Sequence, residues 1–161
     1  MKAETKSNMK ATFGAGCFWH VEEEFRKVKG VSRTEVGYMG GKKDHPSYED
    51  VCSDKTGHIE VVQLDYDPKT VSYQKLLEVF WKIHDPTQIN RQGPDIGTQY
   101  KSVIFYHNEE QKKTAQKSKE DEQKKYASKI ATEILSSTTF YRAEEYHQRY
   151  LQKRGAKNCR L

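Results

Sequence analysis

A glycine turn joins a short apolar run to an amphipathic segment near the start of the chain, and this junction constrains the fold more than any other feature. The apolar run covers 11–13, the turn covers 14–16, and Cys17 follows directly. Apolar residues then recur at helical spacing up to Gly30, which predicts a helix that begins near Cys17. The unpaired N–H groups and the positive dipole end of a helix start favour a thiolate. We therefore expect Cys17 to be a nucleophile, although a small buried side chain is a common role for cysteine.

Strand and helix patterns alternate irregularly along the rest of the chain, without internal repeats or a domain linker. This alternation favours an α+β fold, in which a two-layer sandwich packs helices on a mixed, mostly antiparallel sheet with a ferredoxin-like core. Periodicity predicts strands over 31–38, 58–66, 102–106 and 130–135, and helices over 73–83, 109–127 and 143–151.

The length of 161 residues predicts a single domain over 1–161, and the nucleophile expected at Cys17 would make it a catalytic domain. Residues 152–161 are basic and lack apolar periodicity, so we expect a mobile C-terminal tail that carries Cys159. Lys157 and Arg160 flank this thiol and favour its thiolate, which would suit it to attack an oxidised Cys17. The alternative for Cys159 is an inert surface cysteine.

Charge and cysteine spacing exclude several classes of protein. The net charge is +5, but acidic and basic residues are interleaved, which is typical of solvated helix faces and not of a nucleic-acid site. The three cysteines form no Cys-x-x-Cys pair, so we expect no metal site and no cofactor. The absence of an apolar leader or a membrane-length run predicts a soluble, cytoplasmic protein without a membrane partner.

Glu60 is the second candidate for chemistry. It shares strand parity with Val62, Leu64 and Tyr66, so its carboxyl group is predicted to point toward the core. Loss of solvation would raise the pKa of this carboxyl group and suit it to act as a general acid. The alternative is a strand-end glutamate that faces water. The loop over 87–99 is long and without periodicity, and such loops often line a site.

Taken together, the motifs of the chain closely resemble the peptide methionine sulfoxide reductases of the A type. The resemblance covers most of the chain, and the order and spacing of its motifs make it specific. The matching segments are 14–19, 37–41, 46–52, 56–60, 80–86 and 91–100.

The resemblance implies that Cys17 attacks the sulfur of methionine S-sulfoxide, either free or in oxidised proteins. It implies that Glu60 donates a proton to the sulfoxide oxygen. The remaining implied site residues are Tyr48 and Tyr100, which would hydrogen-bond that oxygen, Phe18 and Trp19, which would hold the substrate methyl group, and Asp95, which would help to bind substrate.

The same resemblance implies that Cys17 becomes a sulfenic acid, which a second thiol converts to a disulfide. Thioredoxin, or a similar dithiol, would then reduce the disulfide. Many relatives carry two cysteines in a longer tail, whereas only Cys159 is C-terminal here. Cys52 follows Val51 and is expected to be buried and structural, but it stays a competing resolving residue.

Two other classes of protein remain as alternatives. A thiol peroxidase would also use an activated cysteine with a resolving partner, but it would not need an aromatic wall for a methyl group. A non-enzymatic binding module would not depend on Cys17. His20 stands where many relatives carry glycine, and it is expected to shield the pocket, with tuning of the Cys17 thiolate as the alternative. We expect the enzyme to be a monomer.

Overall fold

The computed structural model describes residues 8–154, which form one six-stranded sheet with helices on one face and a small separate hairpin. Strand neighbours follow the order β7-β6-β1-β3-β2-β8, and every neighbouring pair is antiparallel except the parallel pair of β6 and β7. The strands are β1 Met9–Ala15, β2 Val31–Met39, β3 Ile59–Tyr66, β6 Ser102–Tyr106, β7 Glu133–Ser136 and β8 Tyr141–Arg142, and the hairpin strands are β4 Arg91–Gln92 and β5 Asp95–Ile96.

The four central strands and two of the helices form a split β-α-β unit. The chain runs β1, helix α1 (Phe18–Arg26), β2, β3, helix α3 (Tyr73–Lys82) and β6, while the spatial order of the strands is β6-β1-β3-β2, which is the ferredoxin-like arrangement. The predicted fold class is therefore confirmed. The helices are α1 Phe18–Arg26, α2 Tyr48–Cys52, α3 Tyr73–Lys82, α4 Glu109–Gln123 and α5 Tyr150–Arg154.

The main core lies between the helices and one face of the sheet. Phe13 of β1 stacks on Phe25 of α1, with ring centroids 4.9 Å apart, and also contacts Phe80 of α3. A smaller apolar cluster covers the other face of the sheet. In β3, Val62 and Leu64 face the helices, and Glu60 shares their face and is 1 % exposed. The parity argument for Glu60 is confirmed: its carboxyl group lies on the helix side.

The last predicted helix is wrong, because the chain is interrupted between a 3-10 helix, Glu145–His147, and α5. The Gln148 side chain explains the break. Its amide accepts a hydrogen bond from the Val36 N–H group at 2.9 Å and donates to the Val36 carbonyl group at 3.0 Å. This pairing satisfies the backbone N–H and carbonyl groups of Val36 at the edge of β2, and it draws the chain out of helical geometry. Arg149 then adopts a φ of +51°, which reverses the chain.

The predicted tail boundary also differs from the structure. The helix α5 continues to Arg154, so 152–154 are helical. Cys159 lies outside the described residues.

Two polar segments have more structure than periodicity predicts. The segment after β2 contains α2, which begins with a capping box: Ser47 and Asp50 each accept a hydrogen bond from the other's backbone N–H group, at 3.1 and 2.9 Å. The loop over 87–99 contains the β4–β5 hairpin, which the Gln92 amide ties to the backbone of Asp85 at 2.7 and 3.0 Å. Side-chain hydrogen bonds, not buried apolar stripes, hold these short elements.

Within 8–154, no helix is both long enough and apolar enough to cross a bilayer. Over the same range, no group of three or more His, Cys, Asp or Glu side chains is arranged to hold a metal ion.

His84 forms a buried polar network at the end of α3. Its Nδ1 lies 2.7 Å from the Phe80 carbonyl oxygen, which can only accept, so Nδ1 carries the proton. Its Nε2 then accepts from the Ser102 hydroxyl group at 2.7 Å, and Ser102 also contacts Thr132 at 2.7 Å. Burial lowers the pKa of His84 to about 4. The folded state therefore holds this ring neutral.

We predict that His84 makes the protein less stable as the pH falls from about 6.5 toward 4. The unfolded chain binds the proton near the ordinary histidine pKa, whereas the folded chain resists it until about 4. The free energy of unfolding should fall by about 2 to 3 kcal/mol over this window because of His84. Denaturant unfolding of wild type and His84→Gln at several pH values measures this slope. The exposed His45→Gln variant serves as the control, and an equal slope in wild type and His84→Gln would refute the assignment.

Candidate active site

Cys17 is the N-cap residue of α1, as the glycine turn predicted, and its side chain is half-buried. Its carbonyl group accepts from the N–H groups of His20 at 3.2 Å and Val21 at 3.3 Å, which closes the first helical turn. Gly16 before it has a φ of +99°, a conformation that favours glycine. The turn therefore places the sulfur at the N-terminal end of a nine-residue helix, where the dipole favours a thiolate.

The antiparallel pairing of β1 and β3 brings Glu60 to the same end of the sheet as Cys17. Phe13 pairs with Val62, so the end of β1 and the start of β3 lie side by side. The Phe18 N–H group donates to the Glu60 carboxylate oxygen Oε1 at 3.2 Å. A buried carboxyl group is thus hydrogen-bonded to the residue that follows Cys17.

Tyr48 approaches this site from α2 and is held there by Glu144. One carboxylate oxygen of Glu144 accepts from the Tyr48 N–H group at 2.9 Å, and the other accepts from the Tyr38 hydroxyl group at 3.0 Å. Burial raises the pKa of the Tyr48 phenol well above its usual value, and the negative charge of Glu60 raises it further. Tyr48 is therefore a hydrogen-bond donor at neutral pH.

Tyr100 completes a second side of the site from the 3-10 helix Thr98–Tyr100. Burial raises the pKa of this phenol, and the negative charges of Glu60, Cys52, Asp95 and Cys17 add to the effect in that order. Tyr100 is thus also protonated at neutral pH, and three of these four neighbours, Glu60, Asp95 and Cys17, are predicted site residues. Asp95 pairs with Gln92 in the β4–β5 hairpin.

Phe18 and Trp19 are both at the site, but they differ in exposure. Phe18 is 1 % exposed and belongs to the main core, whereas Trp19 is half-buried. The Trp19 indole N–H group donates to His147 Nδ1 at 2.9 Å, and the indole ring stacks on Tyr150, with centroids 3.7 Å apart and planes 10° apart. His147 also lies 4.5 Å from the Tyr48 ring, measured between centroids. Trp19 is therefore fixed from two sides.

Sequence reasoning missed three of these residues: Glu144, His147 and Tyr150. All three come from the C-terminal segment, where aromatic residues at near-helical spacing predicted an ordinary buried stripe. The available signal was the density of aromatic and titratable side chains over 144–150. Nothing in that pattern indicated contact with residues more than 90 positions earlier.

Cys52 is exposed, so the expectation that it is buried is wrong. It lies at the end of α2, where Val51 is 1 % exposed. Neighbouring helical positions point about 100° apart, so the burial of Val51 turns Cys52 outward. The Cys52 thiol is therefore accessible, and it stays a competitor as resolving residue.

We predict that Gly16→Ala destabilises the fold more than an equivalent change elsewhere. An added Cβ would lie 2.9 Å from both Cβ and Cγ of Gln92, in addition to the strain of a positive φ. At Gly57, φ is +78° but the nearest atom would be 3.6 Å away. We expect a loss of about 1 kcal/mol in the free energy of unfolding for Gly57→Ala and about 3 kcal/mol for Gly16→Ala. Denaturant unfolding measures both, and equal losses would contradict the close packing of the hairpin against the turn.

Comparison with known proteins agrees with this arrangement. The family model described as peptide methionine sulfoxide reductase matches residues 9–161. The peptide methionine sulfoxide reductase MsrA of Geobacter metallireducens is 62 % identical over 158 residues, covering 97 % of this chain and 98 % of that protein.

Two solved structures of Saccharomyces cerevisiae Mxr1 are also similar. The reduced form has a TM-score of 0.91 and 41 % identity, covering 96 % of this chain and 90 % of that one. The complex of Mxr1 with Trx2 has a TM-score of 0.65 and 30 % identity, covering 90 % and 86 %. Because the family model, the sequences of its relatives and the fold agree, the chain belongs to the peptide methionine sulfoxide reductases of the A type.

Proposed function

We propose that the Cys17 thiolate attacks the sulfur of methionine S-sulfoxide, free or in oxidised proteins, while Glu60 protonates the sulfoxide oxygen. The single observation that carries this proposal is the 3.2 Å hydrogen bond between the Phe18 N–H group and Glu60. It holds a buried carboxyl group beside the N-terminal helix end on which Cys17 sits. The Cys17 nucleophile and the Glu60 acid thereby lie at the same end of the sheet.

The acid is needed because sulfoxide sulfur is a poor electrophile while negative charge stays on the oxygen. Proton transfer from Glu60 relieves that charge as the Cys17 sulfur approaches. The oxygen then leaves with the Cys17 sulfur, which becomes a sulfenic acid, and the substrate is released as methionine. The cysteine is oxidised by two electrons and the sulfoxide is reduced by two.

Tyr48 and Tyr100 supply hydrogen bonds to the same oxygen. Burial, the largest cause, raises the pKa values of both phenols before Glu60 gives up its proton, so both keep the proton that they donate. Preorganised donors of this kind stabilise the charge that develops in the transition state. Because both pKa values are raised, the two phenols are suited to donate hydrogen bonds and not to act as bases.

The apolar end of the substrate is assigned to Trp19, with Phe18 beneath it, and Asp95 of the hairpin is assigned to the polar end. Trp19 supports this role because it is half-buried and rigidly held by His147 and Tyr150. A fixed aromatic surface beside a thiolate suits the methyl group of a sulfoxide better than it suits hydrogen peroxide. This observation favours the reductase over the thiol peroxidase.

The cycle closes through a second thiol, for which we propose Cys159 of the C-terminal tail. Condensation of Cys159 with the Cys17 sulfenic acid releases water and forms a disulfide, and thioredoxin or a similar dithiol then reduces it. The structure of a yeast relative in complex with Trx2 supports thioredoxin as this reductant. A cycle of this kind requires a reducing compartment, which supports the cytoplasm. The monomeric state stays a prediction.

We predict that Glu60→Gln loses most of the turnover while the fold is kept. The amide oxygen can still accept from the Phe18 N–H group, but the side chain can no longer give up an acidic proton. We expect kcat with methionine S-sulfoxide to fall by about 10²- to 10⁴-fold. Single-turnover release of methionine, followed by chromatography, measures the chemical step alone.

Glu133→Gln is the matched control, because Glu133 is a solvent-exposed glutamate that pairs only with Lys101 in the described part of the chain. It should retain full turnover. An unchanged single-turnover rate in Glu60→Gln would remove Glu60 as proton donor. Consumption of hydrogen peroxide without any reduction of methionine sulfoxide by the wild type would instead favour the peroxidase.

We predict a Cys17–Cys159 disulfide when reduced protein reacts with one equivalent of methionine S-sulfoxide without added reductant. Peptide mass spectrometry maps the bond. Cys159→Ser should release one methionine and then stop at the sulfenic acid, whereas Cys52→Ser should turn over normally with thioredoxin. A Cys17–Cys52 bond in the wild type would make the exposed Cys52 the resolving residue.

A further inference from the structure

Four consecutive residues of the C-terminal segment are held by α1 and β2. His147 accepts from the Trp19 indole, and the Gln148 amide pairs with the backbone of β2. The Arg149 N–H group donates to the Glu22 carboxylate at 2.7 Å, and Tyr150 stacks on Trp19. The first and last residues of this segment thus both contact Trp19, and Glu22 binds Arg149 between them.

Glu22 is a buried carboxyl group to which the proposed reaction gives no role. It lies on α1 five positions after Cys17, and it is 1 % exposed. Its Oε1 accepts from the Arg149 N–H group at 2.7 Å, and its Oε2 accepts from the Thr34 hydroxyl group at 2.7 Å. Burying a carboxyl group costs free energy, and these two short hydrogen bonds offset the cost. Glu22 thus ties α1 to β2 and to the C-terminal segment.

The contact with Glu22 falls at the one strained residue of this segment. Arg149 has a φ of +51°, which is unfavourable for a residue with a Cβ. This conformation reverses the chain between His147 and Tyr150. His147, before this turn, accepts from the Trp19 indole N–H group, and Tyr150, after it, stacks on the indole ring. The N–H group of Arg149 is bonded to Glu22, so Glu22 stabilises the reversal.

We propose that Glu22 is a positioning residue for the substrate pocket: it holds the Arg149 turn, so that His147 and Tyr150 fix the Trp19 indole where the substrate methyl group binds. This inference rests on the proposed function, which assigns the methyl group to Trp19. Glu22 acts through Arg149 and touches neither the substrate nor Cys17. Its loss should therefore weaken substrate binding more than the chemical step.

Replacement of Glu22 by leucine and by glutamine tests the proposal. Glu22→Leu removes both acceptors, whereas Glu22→Gln keeps an acceptor for the Arg149 N–H group and can donate to Thr34 from its amide. We expect KM for methionine S-sulfoxide to rise about tenfold in Glu22→Leu with kcat within about twofold, and near-normal values in Glu22→Gln. Glu23→Leu, at the neighbouring position that pairs with Arg26, is the matched control.

A second readout follows Trp19 directly and does not depend on turnover. The chain has two tryptophans, so the ¹H–¹⁵N spectrum has two indole N–H signals, and Trp81 donates to Ser118 at 2.8 Å. In Glu22→Leu the Trp19 signal should move toward the position of a solvent-exposed indole, while the Trp81 signal stays. Both signals should stay in Glu22→Gln and Glu23→Leu.

A folded Glu22→Leu protein with an unmoved Trp19 signal and an unchanged KM would overturn the proposal. If Glu22→Leu does not fold, Thr34→Val decides, because it removes one of the two hydrogen bonds to Glu22. There a smaller shift of the Trp19 signal in the same direction supports the proposal, and an unmoved signal refutes it. Absence of methionine sulfoxide turnover in the wild type would overturn the proposed function, and the Trp19 signal would still decide the structural link.

Discussion

The hydrogen bond from the Phe18 N–H group to the Glu60 carboxyl group joins the start of α1 to the start of β3, and the geometry of the site depends on it. A helix start has unpaired N–H groups, and a buried carboxyl group needs donors. Here the N–H group of Phe18 finds an acceptor and the carboxyl group of Glu60 finds a donor. Because the two elements arrive there through the sheet register and the Gly16 turn, the placement of Cys17 beside an acid follows from backbone structure and not from flexible side chains.

Once Glu60 has given up its proton, its negative charge also acts on the two phenols of the site. It adds to burial in raising the pKa values of both Tyr48 and Tyr100. The site therefore contains several groups that hold protons at neutral pH around a helix end that favours a thiolate. Such a separation of proton donors from a nucleophile is the requirement for attack on a polar, weakly electrophilic sulfur.

Much of the fold and of the candidate site could be predicted from the sequence, wherever a residue lies in or beside a segment with a regular hydrophobic period. The two-residue period of β3 predicted that Glu60 faces the helices. The helical period after Cys17 predicted that Cys17 lies at the start of a helix. The short helix that ends at Cys52 is too brief for any period, since a capping box defines it, and the prediction that Cys52 is buried was wrong for that reason. The contacts of His147 and Tyr150 with Trp19 join distant parts of the chain, and a pattern in one segment does not report them. The roles of the site residues and the pairing of Cys159 stay predictions.

The side chain of Gln148 has a further consequence for the edge of the sheet. Its amide presents a donor and an acceptor to Val36 in the same way that the backbone of a neighbouring strand would. A free strand edge can pair with another polypeptide and lead to aggregation. Beyond the amide, the edge carries Arg33 and Glu35, which form an ion pair at 2.9 Å. The Gln148 amide and the two charged side chains thus make this stretch of β2 a poor template for pairing with another strand.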